Sequence, residues 1–171
     1  MDDRSRRKIA RHGPLTLARR GEVWEILWEG MFLMSSECRA SERELGTLAR
    51  GRTLVGGLGM GFTLRAALDA GAAALDVVEI SAAVIEWNRG PLAHLAGRPL
   101  EDPRVRVHEA DVGAFVRDAR GYDAILLDVD NGPSWTARPE NAALYGDEGV
   151  AALRAALAQG DRLYPLKPAI S

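Results

Sequence analysis

The sequence is poor in the residues that build disulfide frameworks and metal centres. It contains one cysteine, Cys38, so no disulfide can form within the chain. Its three histidines, His12, His94 and His108, are scattered and show no zinc-site spacing. We therefore expect a protein without a metal ion that works in a reducing compartment, for which the cytoplasm is the simplest choice.

Strong charge of one sign and long apolar runs are also missing. The 22 Lys and Arg residues nearly balance the 24 Asp and Glu residues, for a formal net charge of −2. Such a balance gives no overall field that attracts a nucleic acid, and no apolar stretch approaches the length of a membrane span. The basic start at residues 4–8 precedes no apolar segment of signal-peptide length, so we interpret it as a mobile tail. Neither a nucleic acid nor a membrane is an expected partner.

The first 50 residues predict a small β-element followed by a helix. Residues 15–34 contain apolar and aromatic runs broken near Gly21 and Gly30, which predicts three short strands and two tight turns. Ser41 and Glu44 have the spacing of a capping box, which predicts the start of an amphipathic helix. We assign residues 1–50 to an N-terminal tail, β-hairpins and this leading helix.

From Thr53 onward, short apolar runs alternate with helical stretches. Strands are predicted at 53–57, 75–80, 104–109 and 123–129, and helices near 62–70, 82–97, 112–119 and 147–159. This order is typical of an α/β fold with a doubly wound, mostly parallel sheet and helices on both faces. After Gly160 the sequence predicts at most one short strand, because Pro165 and Pro168 restrict pairing. We treat residues 51–171 as the second unit.

A glycine-rich loop at residues 56–61 (GGLGMG) lies directly between the first strand of this unit and the next helix. Glycines let the chain turn sharply and let a ligand approach the main chain closely. Glu79 ends the second strand, 18 residues beyond Gly61, where a carboxylate can accept hydrogen bonds from both hydroxyls of a ribose. A tight turn without a ligand is the alternative for the loop alone, but loop and carboxylate together predict a nucleoside site.

Acidic residues also follow the third and fourth strands. Asp111 either receives an adenine amino group or caps the next helix. Asp128 ends an apolar strand at the edge that faces the ligand crevice, so it can orient or deprotonate a nucleophile. A loop held by side-chain turns is the alternative for this segment. Trp135 can cover a cation by a cation–π contact, although a tryptophan more often fills a core or a lid.

Residues 53–160 resemble the nucleoside-binding domain of class I S-adenosylmethionine-dependent transferases, and more narrowly the spermidine synthase-like group. VEISAAVIEWNR (residues 78–89) resembles the ribose-binding strand and helix of that group, EADVGAFV (109–116) its adenine segment, and LLDVDNGP (126–133) its catalytic aspartate loop. The resemblance implies a Rossmann-like fold behind a small leading β-domain, with the C-terminal strands of the family incomplete.

The resemblance also implies roles for single residues. Asp128 is the implied catalytic residue, which holds the attacking amine. The implied contacts to the nucleoside of the donor are Gly57, Gly59, Gly61, Glu79, Ile80, Asp111 and Val112. The implied contacts to the amine substrate are Glu42, Asp130 and Trp135.

Three motifs depart from the pattern of the family, and one of them is the D-x-x-D-P loop, which reads DVDNGP at residues 128–133 here. Spermidine synthases carry an acidic residue in the glycine-rich loop that binds the aminopropyl amine, and this position is Gly59 or Met60 here. The Tyr-His-Glu entry segment of the family reads Ala40-Ser41-Glu42. The departures bear on the choice of substrate rather than on nucleoside binding.

The expected function is a transferase that binds S-adenosylmethionine or its decarboxylated form and transfers an aminopropyl group to an amine. A methyltransferase that uses ordinary S-adenosylmethionine is the alternative, which the missing loop acid favours. A nucleoside-binding or assembly module without catalysis is the third possibility.

A homodimer is expected because a parallel sheet that stops near its fourth or fifth strand leaves an unpaired edge. The aromatic residues Trp24 and Trp28 of the predicted hairpins either pack in the core or form the dimer face. Cys38 is expected to be an inert thiol and His108 a structural residue.

Overall fold

The computed structural model of the chain describes residues 5–37, 39–129 and 143–165. Its strands are β1 (Arg7–His12), β2 (Leu15–Arg20), β3 (Val23–Trp28), β4 (Met31–Ser35), β5 (Arg52–Gly56), β6 (Ala74–Glu79), β7 (Val105–Glu109), β8 (Tyr122–Leu127) and β9 (Leu157–Pro165). Its helices are α1 (Ala40–Gly46), α2 (Phe62–Asp69), α3 (Ala82–Arg89), α4 (Val112–Asp118) and α5 (Asp147–Ala156), with 3-10 helices at Ala93–Ala96 and Pro99–Glu101.

Strands β1 to β4 form an antiparallel sheet in the order β1-β2-β3-β4. The three strands expected in residues 15–34 are present, but Arg7 and Lys8 of the basic segment belong to strand β1 and not to a mobile tail. The apolar pattern does not indicate β1 because five of its six residues are exposed. Pairing with β2 holds the strand, and Arg6 just before it forms an ion pair with buried Glu25 (2.6 Å).

Helix α1 begins before the predicted capping box. Ser41 is the second residue of the helix, and Arg39 at the N-cap position makes no side-chain capping bond. The capping-box prediction was therefore wrong, and the Ser41 hydroxyl contacts Glu42 instead (3.1 Å). Gly46 at the end of the helix lets α1 pack tightly on α2, since a Cβ there would lie 2.4 Å from the Ala66 Cβ.

Strands β5 to β9 form a parallel sheet in the order β7-β6-β5-β8-β9. Alternate residues of β5 enter two different cores: Val55 packs with residues of α2 and α3, and Leu54 packs with residues of α4 and α5. Helices therefore cover both faces, and the predicted doubly wound α/β fold is confirmed. The carboxyl ends of β5, β6 and β8 meet at one edge.

Two predicted helix ends differ from the structure. Helix α3 ends at Arg89, since Gly90 and Pro91 follow it, and the rest of the predicted 82–97 helix includes a 3-10 turn. Helix α5 ends at Ala156 rather than near residue 159, and β9 starts at Leu157. Strand β9 pairs with β8 through an irregular register, which the apolar pattern does not predict.

The antiparallel sheet shares a core with the α2 and α3 side of the parallel sheet. Buried Leu17, Ile26 and Leu33 belong to the same cluster as Leu64 and Trp87. Trp24 is buried in this core and its ring contacts His94 edge-on, at 5.9 Å between ring centroids. The predicted boundary near residue 50 falls between α1 and β5, while the apolar core continues across it. No helix in the described residues is long and apolar enough to span a membrane.

Candidate functional site

A pocket opens at the carboxyl edge of the parallel sheet, where most of the residues predicted from the sequence meet. The predicted residues that line it are Gly57, Gly59, Glu79, Ile80, Asp111, Val112 and Asp128. The antiparallel sheet supplies an apolar wall with Ile26, Leu33 and Met34. This wall was not predicted, because only the tertiary packing of the two sheets brings it to the pocket.

The glycine-rich loop passes closely under the pocket. Gly57 has a φ of +93°, and a Cβ at this position would lie 2.3 Å from the carbonyl oxygen of Asp128. Its N–H donates to the Val78 carbonyl (2.8 Å). A side chain at position 57 is therefore excluded both by the backbone conformation and by space. Gly61 lies at the N-cap of α2 and away from the pocket lining.

Buried Asn88 of α3 braces the loop, and sequence reasoning missed it. Its amide donates to the carbonyl of Gly59 (2.8 Å) and to the carbonyl of Val84 (2.9 Å). The sequence does contain a signal for this residue, because Asn88 is a polar side chain among the apolar positions of the α3 face that includes Val84. The bond to Gly59 ties the loop to α3.

Glu79 lies at the rim of the pocket, at the end of β6. Its Oε2 accepts a hydrogen bond from the Leu58 N–H (3.0 Å), and its Oε1 accepts one from the Ser81 N–H (2.9 Å). Burial raises the pKa of the Glu79 carboxyl above its ordinary value of 4.5, although backbone N–H groups act in the opposite direction. Each carboxylate oxygen has two lone pairs, so the group retains acceptor capacity for the hydroxyls of a ligand.

Asp111 caps helix α4: its Oδ1 accepts a hydrogen bond from the Ala114 N–H (2.8 Å). The capping alternative is thus present in the structure, and the same residue also lines the pocket. Val112 is buried beside Gly56, and Ile80 is half exposed at the opposite side of the pocket. The three residues bound a slot between the ends of β6 and β7 and the start of α4.

Asp128 is 5% exposed and follows β8 directly. Its Oδ2 accepts a hydrogen bond from the hydroxyl of Thr63 (2.7 Å), which is 1% exposed. Its main-chain N–H donates to the Gly56 carbonyl (2.7 Å). Thr63 was not predicted, because nothing in the sequence indicates that the second residue of α2 reaches the end of β8.

A smaller cleft joins Asp128 to the leading helix. It is lined by Glu42 of α1, by Phe62 and by Asp128, with the loop residue Gly59 beside them. Glu42 is half-buried at this cleft. Two carboxylate residues thus border one small space, which suits a cationic group such as an ammonium.

Asp130, Trp135 and Cys38 are outside the described residues. His108 lies on β7, below the pocket, and its Nε2 pairs with buried Asp76 (2.7 Å). This pairing agrees with the structural role expected for His108. In the described part of the chain, no three metal-ligating side chains form a cluster.

The fold and the pocket define a class of protein: a doubly wound α/β protein with a ligand pocket at the carboxyl edge of its parallel sheet. The spermine/spermidine synthase domain family matches residues 53–161, more than half of the chain. The chain belongs to this family, and the resemblance seen in the sequence is confirmed.

Solved structures of spermidine synthases have the same fold. A spermidine synthase in complex with the transition state analogue AdoDATO has a TM-score of 0.74 and 20% sequence identity, over 93% of this chain and 57% of that one. The spermidine synthase from Thermotoga maritima has a TM-score of 0.71 and 20% identity, over 93% of this chain and 56% of that one. This chain therefore spans a little over half the length of each. Among curated proteins, none matches the chain by sequence.

Proposed function

We propose that the chain is a transferase that binds decarboxylated S-adenosylmethionine and transfers its aminopropyl group to an amine. The observation that carries the proposal is that Glu79 and Asp128 flank one glycine-rich loop at one pocket, in a chain of the spermine/spermidine synthase domain family. A spermidine synthase with the same fold was crystallised with the analogue AdoDATO, which supports this class of donor.

The nucleoside of the donor lies across the strand ends in this proposal. The Glu79 carboxylate accepts hydrogen bonds from the two ribose hydroxyls with the lone pairs that the Leu58 and Ser81 N–H groups leave available. Asp111 accepts from the adenine amino group, and Ile80 and Val112 contact the faces of the base. Gly57, Gly59 and Gly61 allow the loop to lie close to the donor.

The reaction is a displacement at carbon. The unprotonated amine attacks the carbon next to the sulfonium, the C–N bond forms as the C–S bond breaks, and the electron pair goes to sulfur. The products are methylthioadenosine and a protonated secondary amine, whose proton passes to the Asp128 carboxylate and from there to the solvent. Since a neutral thioether is a good leaving group, the protein mainly aligns the reactants and keeps the amine unprotonated.

Asp128 and Glu42 hold the amine substrate in this proposal. Asp128 orients the attacking nitrogen and accepts its proton, while Glu42 pairs with a second ammonium across the small cleft that both residues border. Asp130 and Trp135 remain proposed substrate contacts. An acceptor with two amino groups is favoured, because two carboxylates meet two cationic ends.

Methyl transfer from ordinary S-adenosylmethionine is the second candidate, and the loop itself favours it. No acidic residue lies in residues 56–61. A Cβ at Gly59 would lie 3.6 Å from the Met34 sulfur, so an apolar side chain occupies the space beside this position. The donor's amine then has no partner in the loop.

Calorimetry and product analysis test the proposal. We expect binding of methylthioadenosine and of decarboxylated S-adenosylmethionine, and transfer to a diamine in a series from 1,3-diaminopropane to 1,5-diaminopentane. Methylated products from ordinary S-adenosylmethionine would show the second candidate instead. Nucleoside binding without either product would mean a binding module.

Asp128→Asn separates catalysis from donor binding. The variant keeps the shape of the side chain and removes its negative charge, so transfer should fall by about 10²-fold or more. The affinity for methylthioadenosine should change by less than about twofold. Full transfer activity in this variant would exclude the proposed role of Asp128.

The chain is also proposed to form a homodimer in a reducing cytoplasm. Strand β4 is an edge of the antiparallel sheet and exposes Met31 and Phe32, which supports self-association through this side. The single cysteine suits the compartment. Sedimentation at micromolar concentration is expected to give a dimer of the 18.5 kDa chain, and a mass that stays monomeric at every concentration would contradict it.

A further inference from the structure

Thr63 and Asp128 form a buried pair at the floor of the site. The Thr63 hydroxyl lies 2.7 Å from Asp128 Oδ2, and the two residues are 1% and 5% exposed. A carboxylate oxygen is an acceptor, so the hydroxyl donates. Hydrogen bonds from a neutral donor to an ionised acceptor are stronger than bonds between neutral groups, and they favour the charged form of the carboxyl.

The hydroxyl is attached to a rigid part of the fold. Thr63 is the second residue of α2, directly after the loop that ends at Gly61. Its carbonyl faces the closely packed end of α1, where a Cβ at Gly46 would lie 2.6 Å from it. Threonine is branched at Cβ and has few χ1 rotamers in a helix. The backbone therefore limits the hydroxyl to few directions, and one of them meets Asp128 Oδ2.

Asp128 is held from its other side through the main chain. Its N–H donates to the Gly56 carbonyl, and its carbonyl oxygen lies against the Cα of Gly57. The loop residues 56–57 thus hold the backbone of Asp128, and the first turn of α2 holds one oxygen of its side chain. Both supports belong to the segment that connects β5 to α2.

We infer that Thr63 is a positioning residue for the reaction: it holds the Asp128 carboxylate ionised and oriented toward the amine. This inference rests on the proposed function. Reaction by displacement requires the nitrogen lone pair to align with the C–S bond, and a carboxylate free to rotate would align it less often. A residue needed only to fill space could be replaced by valine, which has the same shape without the hydroxyl.

The test compares Thr63→Val with Thr63→Ser. Removing the hydroxyl should lower kcat about tenfold or more and move the acid limb of the pH profile of kcat/KM to higher pH. The KM for decarboxylated S-adenosylmethionine should stay within about twofold, because Thr63 is not among the residues that line the pocket. Thr63→Ser restores the hydroxyl and should recover most of kcat.

Thr53→Val is the matched control. Thr53 is also a fully buried threonine, and its hydroxyl donates to the Arg50 carbonyl (2.8 Å) at the opposite end of β5. This variant should keep the kcat and the pH profile, even where its stability falls. Far-UV circular dichroism of all three variants checks that they fold. Wild-type kcat in Thr63→Val, or a loss that Thr63→Ser does not recover, would overturn the inference.

A second measurement does not require turnover. The carboxyl carbon of Asp128 can be followed by ¹³C NMR as a function of pH in the nucleoside-bound protein. Its titration midpoint should rise by about one pH unit in Thr63→Val and stay near the wild-type value in Thr63→Ser. If the wild-type chain binds methylthioadenosine but transfers no group, the proposed function fails. The titration midpoint of Asp128 then still tests whether Thr63 acts on this carboxylate. A midpoint that is unchanged in Thr63→Val rejects the inference about Thr63.

Discussion

Among single residues, Glu79 combines a buried position with an unusual set of hydrogen bonds. Both of its carboxylate oxygens already accept a backbone N–H, from Leu58 and from Ser81. These bonds join the glycine-rich loop to the start of α3 through one side chain. The residue therefore has a structural function in the fold and a proposed function in nucleoside binding.

Replacing Glu79 by Gln should weaken methylthioadenosine binding by about tenfold or more. The amide keeps the shape, but it loses charge-assisted bonds that contribute roughly 1.5–3 kcal/mol. Calorimetry measures the change. Glu109→Gln is the control, since Glu109 ends the neighbouring strand β7 in register with Glu79 and lies exposed. Equal affinities of wild type and Glu79→Gln would remove the ribose assignment.

The affinity should also depend on pH. Burial raises the pKa of Glu79 above 4.5, and ribose hydroxyls donate to the ionised carboxylate. Affinity should therefore be constant above this pKa and should fall as the pH drops through it. In Glu79→Gln the dependence should vanish. A pH-independent affinity in the wild-type protein between pH 4 and pH 8 would be inconsistent with this role.

At the scale of elements, four strands of the parallel sheet are joined by one polar cluster around Asp76 of β6. Its carboxylate accepts hydrogen bonds from Tyr122 of β8 (2.8 Å) and Arg52 of β5 (3.1 Å), and it pairs with His108 of β7 (2.7 Å). Burial by itself raises the pKa of Asp76, but these contacts outweigh it, so the pKa lies below 3.8. The cluster lies below the pocket and links its supporting strands.

Tyr122→Phe should destabilise the protein by about 1–2 kcal/mol, because it removes a buried donor to a charged group. Urea unfolding measures the loss of stability. Tyr164→Phe, which removes a surface bond from Arg50, should cost less.

The stability should also depend on pH through Asp76. Because the pKa of Asp76 is lowered in the folded state, the contribution of this residue to stability is complete above pH 3.8 and is lost as pH falls through the folded-state pKa. The cost of Tyr122→Phe should shrink over that acid range. A cost that is equal at pH 3 and pH 7 would contradict the proposed linkage.

For the whole molecule, the main feature is one apolar core shared by the two sheets. Leu17 and Ile26 of the antiparallel sheet lie fully buried in the same cluster as Leu64 and Leu75 of the second unit. The antiparallel sheet also provides the apolar wall of the pocket. The two sheets are therefore expected to fold as one unit across the predicted boundary near residue 50.

Unfolding in urea should be a single transition. Tryptophan fluorescence reports on the four tryptophans, of which Trp24, Trp28 and Trp87 lie in the described residues. It should coincide with far-UV circular dichroism. Leu17→Ala should lower the urea midpoints of both signals together, because it opens a cavity in the shared core. The free energy of unfolding should fall by about 2–5 kcal/mol. The exposed Leu48→Ala should have little effect. Two separate transitions would mean that the sheets fold independently.

The α/β order, the doubly wound sheet and the edge that holds the pocket could all be predicted from local sequence patterns. Alternating apolar runs, a glycine-rich loop and acidic residues at strand ends are local patterns, and parallel strands bring their carboxyl ends to one edge whatever the remaining contacts are. Glu79, Asp111 and Asp128 were therefore predicted at one pocket, and they line it.

The other side chains that complete the site depend on how the elements pack and could not be predicted from local patterns. The bond from Thr63 to Asp128, the support of Gly59 by Asn88 and the apolar wall with Met34 join segments distant in sequence. Strand β1 also depends on pairing with β2, because its exposed residues show no apolar pattern. A local pattern reports which face of an element is buried, while a contact between elements depends on how they pack, and that packing is a property of the whole chain.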